Sequence, residues 1–467
     1  MIATLLIAAV LFNGAELKIE TARSSAMPFN QVWPGYERPI SQSRLDAFVQ
    51  FDMARPGELT VDLPAGVGAG DVRVRPYSRK GWRVEKGRFV AAIERPEQFV
   101  VEFGAAKPML HVFANAPFRY EHRKDEIYFG PGVHEAGLIE PKSGQTICID
   151  AGATVYGAVM LDGVTNVTIT GRGILDASKI RRVSTDGRYL RVLSPEEKKE
   201  LKDVTLFMCR NSADIRVDGI VMRDSPFWIM IFRGDCRRVL IDNVKTVGQW
   251  RYNSDGIDIC GCSDIALKNS FIRSFDDSFV VRDGRAANDG GTLSGISCEN
   301  SILWCDWGYN FKAQLSGAPN ALIEKVSVTD TVFANVQSGG IIIAARPGGK
   351  NGIIRDVTIE NIEYDVAPAR SLSVLQKSPD DVFVAKPTET LGLFSVHNYD
   401  LQNKDPKEIE LLVDRLTFRN FTAIGDYKYV SAYIDIKAGR NEVRDFVCEG
   451  LPNIDRFAKH ATFTTSR

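Results

Sequence analysis

The chain has 467 residues, 44% of them hydrophobic, and its 58 Lys and Arg nearly cancel its 59 Asp and Glu, leaving a formal net charge of −1. That balance argues against nucleic acid or an anionic membrane as partner, since either selects a surplus of basic residues. Abundant Gly (39) suits a turn-rich β protein, and the eight scattered Cys contain no C-x-x-C pair that would frame a metal site.

Residues 1–15 join an apolar run, Leu5-Leu6-Ile7-Ala8-Ala9-Val10-Leu11-Phe12, to small residues near Ala15. This reads as an export signal without the usual basic start, and the competing reading is a buried first strand. No later apolar run is long enough to cross a bilayer. A secreted or periplasmic location without membrane insertion is therefore expected.

Residues 16–107 have the texture of a small antiparallel β-sandwich. Alternation in Leu59-Thr60-Val61-Asp62-Leu63 and Phe99-Val100-Val101-Glu102-Phe103 marks half-buried strands, and Arg55-Pro56-Gly57 and Lys80-Gly81 mark turns. Nothing here looks catalytic. A supporting or carbohydrate-contacting role is the expectation.

Residues 108–467 read differently. From about Ile127 a phrase recurs: a polar pair, alternating apolar residues, then Asn or Asp, often with Gly. Thr165-Asn166-Val167-Thr168-Ile169-Thr170-Gly171, Ala213-Asp214-Ile215-Arg216-Val217-Asp218-Gly219 and Ser263-Asp264-Ile265-Ala266-Leu267-Lys268-Asn269 are examples. Where the phrases follow closely the interval is about 25 residues, a solenoid period. No amphipathic helix long enough for a βαβ unit separates them. The fold class is therefore all-β, a right-handed parallel β-helix preceded by the sandwich. Ala177–Asp203 and Ser371–Glu389 break the pattern and read as loops inserted between coils.

One stretch of the solenoid carries chemistry. Asn253-Ser254-Asp255-Gly256-Ile257-Asp258 is followed by Phe275-Asp276-Asp277-Ser278. Alone, the first string is a turn and the second a solvated pair. One coil apart, they bring Asp255 beside Asp276 and Asp277, because neighbouring parallel strands lie about 4.8 Å apart. Carboxylates so placed raise one another's pKa and suit acid/base cleavage of a glycosidic bond.

These strings resemble the Asn-Thr-Asp-Gly-Ile-Asp and Gly-Asp-Asp-Cys-Val-Ala-Ile motifs of polygalacturonases, at the same separation. Gly130-Pro131-Gly132, Ala151-Gly152-Ala153 and Gly171-Arg172-Gly173-Ile174-Leu175-Asp176 resemble early coils of the same enzymes. Residues 127 to about 420 are thus similar to the parallel β-helix glycoside hydrolases of the clan holding polygalacturonases (family 28) and dextranases with isopullulanases (family 49), a pectin-lyase-like solenoid. The resemblance implies that Asp276 is the general acid and that Asp255 and Asp277 hold and deprotonate the attacking water, with inversion at the anomeric carbon. It implies that Asn253 and Asp258 position sugar hydroxyls or the acid pair, and that neither metal nor cofactor is needed.

Two departures bear on substrate. Tyr309 stands where the family has the His of Gly-His-Gly, and none of the five His lies in this central region. Ile342 and Ala344 stand where its Arg-Ile-Lys grips a uronate carboxylate, with Lys312 and Arg346 nearby as replacement cations or rim charges. Trp250 and Trp307 are the candidate stacking platforms for sugar rings, the alternative being packing under loops. The expected function is inverting hydrolysis of a neutral α-linked poly- or oligosaccharide of dextran or isopullulan type. A pectin-directed hydrolase is the alternative, and a β-helix lyase or a non-catalytic glycan-binding solenoid a more distant one.

Overall fold

A computed structural model describes residues 7–25, 40, 43–104, 107–180, 205–251, 253–284, 291–315, 318–336, 339–345, 351–367, 370–371, 386–387, 390–397, 411–435, 442–452, 456–459 and 463–464. The described residues are almost entirely strand, with one 3₁₀ turn at Ala69–Asp71. Among the described residues no helix is long and apolar enough to cross a membrane.

Two five-stranded sheets form the N-terminal sandwich. Their inner faces bury Val10, Val49, Leu59, Phe89, Phe99 and Val112, the apolar half of each alternating strand. The unit is larger than the expected span of 16–107. Val10–Phe12, inside the apolar run read as an export signal, pairs antiparallel with the strand Gly57–Asp62. Leu110–Asn115, assigned by sequence to the coil domain, lies parallel to Ser43–Asp52 and completes the second sheet. The sequence boundary failed there because Leu110-His111-Val112-Phe113 is buried on both faces: one side meets the sandwich core and the other meets the solenoid.

From Ile127 onward all major strands belong to one 28-stranded parallel coil, in which strands of the central coils pair with those three places further on. One coil comprises Ile257–Cys260, Ser263–Lys268 and Phe271–Ser274. The next places Phe279 beside Ile257, Ile296 beside Ile265 and Ile302 beside Phe271. The recurring Asn and Asp have a physical role. Asn243, Asn269, Asn300 and Asn361 all take positive φ at a coil corner, a conformation that Asn tolerates better than most residues. The Asn269 amide donates to Asp242 (2.8 Å) and that of Asn300 to Asn269 (2.7 Å), so corner backbone turns are stapled by a side-chain ladder.

The sandwich docks on one side of the coil through Phe48, Phe113, Phe271, Val247 and Trp304. Full burial of each such aromatic contributes about 1.5–3 kcal/mol. Polar groups in this seam are paired: Arg172 with Asp52 at 2.9 Å, Lys245 with Asn115 at 2.6 Å and Arg273 with Asp46 at 3.1 Å. The two irregular loops expected at Ala177–Asp203 and Ser371–Glu389 lie mostly outside the described residues.

Candidate active site

The site is assembled where four successive coils pass from one strand to the next. Ile229 N donates to Asp255 O (2.8 Å), Gly256 N to Asp277 O (2.8 Å) and Ser278 N to Tyr309 O (2.8 Å). These bonds lock the turns holding Trp228, Asp255, Asp276/Asp277 and Tyr309 into one stack, so residues separated by tens of positions become neighbours. Both acidic strings end at a strand whose inward residues, Ile257 and Ile259 or Phe279 and Val281, are core. Alternation then throws Asp258 outward.

Asp277 is hydrogen-bonded as a carboxylate. Its Oδ1 accepts from Tyr309 N (2.8 Å) and its Oδ2 from Lys312 Nζ (2.7 Å). Asp276 is treated differently. Burial, followed by the neighbouring Asp277 charge, pushes its pKa up to about 7, with Lys312 opposing. Burial also holds Asp255 well above the usual carboxylate range, reinforced by Asp276, Asp258 and Asp277 and opposed by Arg282. The buried cluster therefore retains protons near neutrality. Asp255 Oδ1 has no hydrogen-bond partner among the described residues, which leaves a buried acceptor for a water or hydroxyl.

The position of Gly308 is dictated by close approach: a Cβ there would lie 2.5 Å from Asp277 Oδ1 and 2.6 Å from Asp276 Oδ1. Any side chain would push the Tyr309 amide away from the carboxylates. Asp276 is further held from behind, its carbonyl accepting from Ser274 Oγ (2.6 Å) and Cys305 Sγ (3.1 Å).

The other sequence candidates are distributed unevenly. Asp258 is fully buried 3.2 Å from Arg282, which also lies 3.7 Å from Asp255. Asn253 occupies the turn before Asp255 with φ of 57°. Tyr309 is half-buried and reaches Asp277 through its backbone N–H rather than its ring. Trp307 is half-buried and stacked on Phe275, 5.9 Å between centroids at 15°. Trp250 is 5% exposed and spends its indole N–H on Asp224 (3.0 Å), so its ring is a packing element rather than an open platform. Arg346 lies outside the described residues. Among the described residues no cluster of His, Cys, Asp or Glu is arranged to hold a metal ion.

Sequence reasoning did not single out Arg282 or Trp228. The Arg282 guanidinium sits 5.0 Å over the Trp228 ring, and the Trp228 indole N–H is buried without a partner among the described residues. A signal for Arg282 was present: in Phe279-Val280-Val281-Arg282 the strand alternation puts Val280 and Arg282 on the outward face with Asp258 and Cys260.

Comparison with known proteins agrees with the geometry. Residues 150–367, which contain all three Asp, match Glycosyl hydrolases family 28. A dextranase of Arthrobacter globiformis is 22% identical over 44% of this chain and 32% of its own length. A probable polygalacturonase of Vitis vinifera is 26% identical over 32% of this chain and 30% of its own. The chain thus spans about a third of the length of these curated relatives. The solved structure of Dex49A from Penicillium minioluteum superposes with a TM-score of 0.52 at 14% identity, covering 86% of this chain and 90% of that one, and so shares the fold. Over its central coils the chain is similar both to glycoside hydrolases of family 28 and to dextranases.

Proposed function

We propose that this chain is an inverting glycoside hydrolase. The observation that carries the reading is the convergence of Asp255, Asp276 and Asp277 from successive coils, with Asp276 titrating near 7 beside an Asp277 held by an ammonium and an amide. Asp276, protonated below that pH, gives its proton to the leaving glycosidic oxygen. Asp277, held by the Lys312 ammonium and the Tyr309 amide, takes the proton of the attacking water, which Asp255 helps to hold. The water enters on the face opposite the leaving group, so the anomeric centre inverts. Asn253, Asp258 and Arg282 orient the sugar or the acids.

A neutral glycan of dextran or isopullulan type is the favoured substrate. Four buried carboxyls, Asp255, Asp258, Asp276 and Asp277, face two cations, and both cations are already committed: Lys312 to Asp277, and Arg282 to Asp258 and Asp255. A uronate would enter a site with no spare positive charge among the described residues, while Ile342 and Ala344 offer it only apolar contacts. Reducing-sugar release should occur on dextran or pullulan and not on polygalacturonan. Nuclear magnetic resonance of the fresh product should show the inverted anomer; a retained anomer contradicts the mechanism, and preferential cleavage of polygalacturonan contradicts the substrate class.

A further inference from the structure

The loop Asp306–Asn310 supplies Gly308 and the Tyr309 amide to the acid pair, yet it contains no strand of its own. Its place depends on what holds its first residue. Asp306 accepts from Trp304 Nε1 (2.9 Å), from Asn335 Nδ2 (3.4 Å) and from two nitrogens of Arg273, Nε and Nη2 (3.3 and 3.2 Å to Oδ2). Arg273, itself 1% exposed, turns its remaining nitrogen away from the coil into the sandwich. There Nη1 donates to Asp46 Oδ2 (3.1 Å) and meets His111 Nε2 (3.0 Å).

The sandwich end is rigid. Asp46 is fully buried on the strand Ser43–Asp52 and accepts from Arg44 Nε and Met109 N, both at 3.0 Å. His111, fully buried on the adjacent strand, uses Nδ1 on Ala47 O (3.0 Å), which leaves Nε2 as the acceptor for Arg273. Burial pushes the His111 pKa down to about 4, so the ring is neutral and can accept. Other polar contacts of the seam end elsewhere: Arg172 on Gly171 O and Lys245 on Gly219 O, both at coil corners.

We propose that the N-terminal sandwich is a positioning part of the catalytic site, in which Asp46 and His111 fix Arg273 and Asp306 and thereby press Gly308 and Tyr309 against Asp276 and Asp277. This rests on the hydrolase reading for its consequence on turnover, though not for its mechanics. A displacement of about 1 Å at reacting groups is enough for a roughly 100-fold loss, and the path from Asp46 to Asp277 is a chain of direct contacts.

The test compares Asp46→Asn with Asp52→Asn, which weakens the same seam at the Arg172 pair without touching Asp306. Both should lower Tm. Only Asp46→Asn should lower kcat, by about 10- to 100-fold with KM changed less than about twofold, and only it should speed amide exchange across residues 305–311. Asp46→Glu should recover part of the loss. Should Asp46→Asn not fold, Trp304→Phe, which removes one donor to Asp306 and keeps the packing, is read the same way. Wild-type kcat and exchange in these variants, or an equal kcat loss in Asp52→Asn, overturns the inference. A wild-type chain that hydrolyses no glycan overturns the hydrolase reading instead, and the exchange measurement then decides the inference alone.

Discussion

Two rows of residues run side by side through the central coils, one residue apart in sequence. The inward row reads Phe232, Ile259, Val281, Ala313, Ile343, Val396; the outward row reads Ile231, Asp258, Val280, Lys312, Ile342, Ser395. Inside, every coil repeats the same apolar chemistry, because each layer must fill the space between its neighbours at close-packed density. Outside, apolar Ile231, Val280 and Ile342 alternate with polar Asp258, Lys312 and Ser395. Stability and chemistry are thus divided by the parity of the strand, and a substitution should act on one or the other according to which way its side chain points.

The largest expected effects break this division on the outward side. Asp276→Asn and Asp277→Asn should each lower turnover by roughly 10²–10⁴-fold while the fold survives, with Tm kept or raised in Asp276→Asn and lowered in Asp277→Asn, which strips Lys312 of its carboxylate. Steady-state rates beside a melting curve check this, and activity surviving in both variants contradicts the assigned roles.

On the inward side, Ile259→Ala, adjacent to Asp258, should cost about 2–5 kcal/mol of stability by urea unfolding. Its kcat, measured well below the new Tm, should fall far less than in the Asp variants. A turnover loss as large as theirs would show that parity does not separate the two functions.

A smaller and finer effect comes from pH. Asp276 has a folded pKa of about 7 against an ordinary 3.8, so between these values the native chain binds more protons than the unfolded one. Its contribution to stability is therefore complete below about pH 4 and is lost as the pH rises through about 7. Asp276→Asn should flatten this slope and gain roughly 1–3 kcal/mol above pH 7. Activity should show an alkaline limb near 7 from the same proton. Because Lys312 lowers the Asp276 pKa, Lys312→Met should move that limb to higher pH. A limb that stays put would mean the ammonium acts only on Asp277.

Much of the site was legible before the structure. Asp255, Asp276 and Asp277 could be placed together because the coil interval and the turn strings are both local features, and parallel stacking converts such an interval directly into contact. Asp258 came only from the resemblance to the polygalacturonase string, and Lys312 only as a cation near Tyr309. The role of Trp250 was not legible. Its indole N–H is drawn to Asp224 on the preceding coil, and nothing in sequence distance tells a stacking ring from a packed one. Arg282 was visible in the alternation, but its partners, Asp258 on the neighbouring coil and the Trp228 ring, depend on exact register. The sandwich boundary was misjudged for a related reason, since a strand buried on both faces gives no period to read.

The sequence alone determined the solenoid and the approach of Asp255 to Asp276 and Asp277, because both rest on periodicity, while the lack of a uronate clamp was read from the family resemblance. Only the tertiary structure decided which carboxyl keeps its proton and which is held by Lys312, since burial and charge–charge distances are not local. It alone also joined Asp46 and His111 to the loop over the acid pair, through an Arg273 that lies 227 and 162 residues further along the chain. Such contacts depend on how two independently patterned domains dock, and no repeat within either one encodes that.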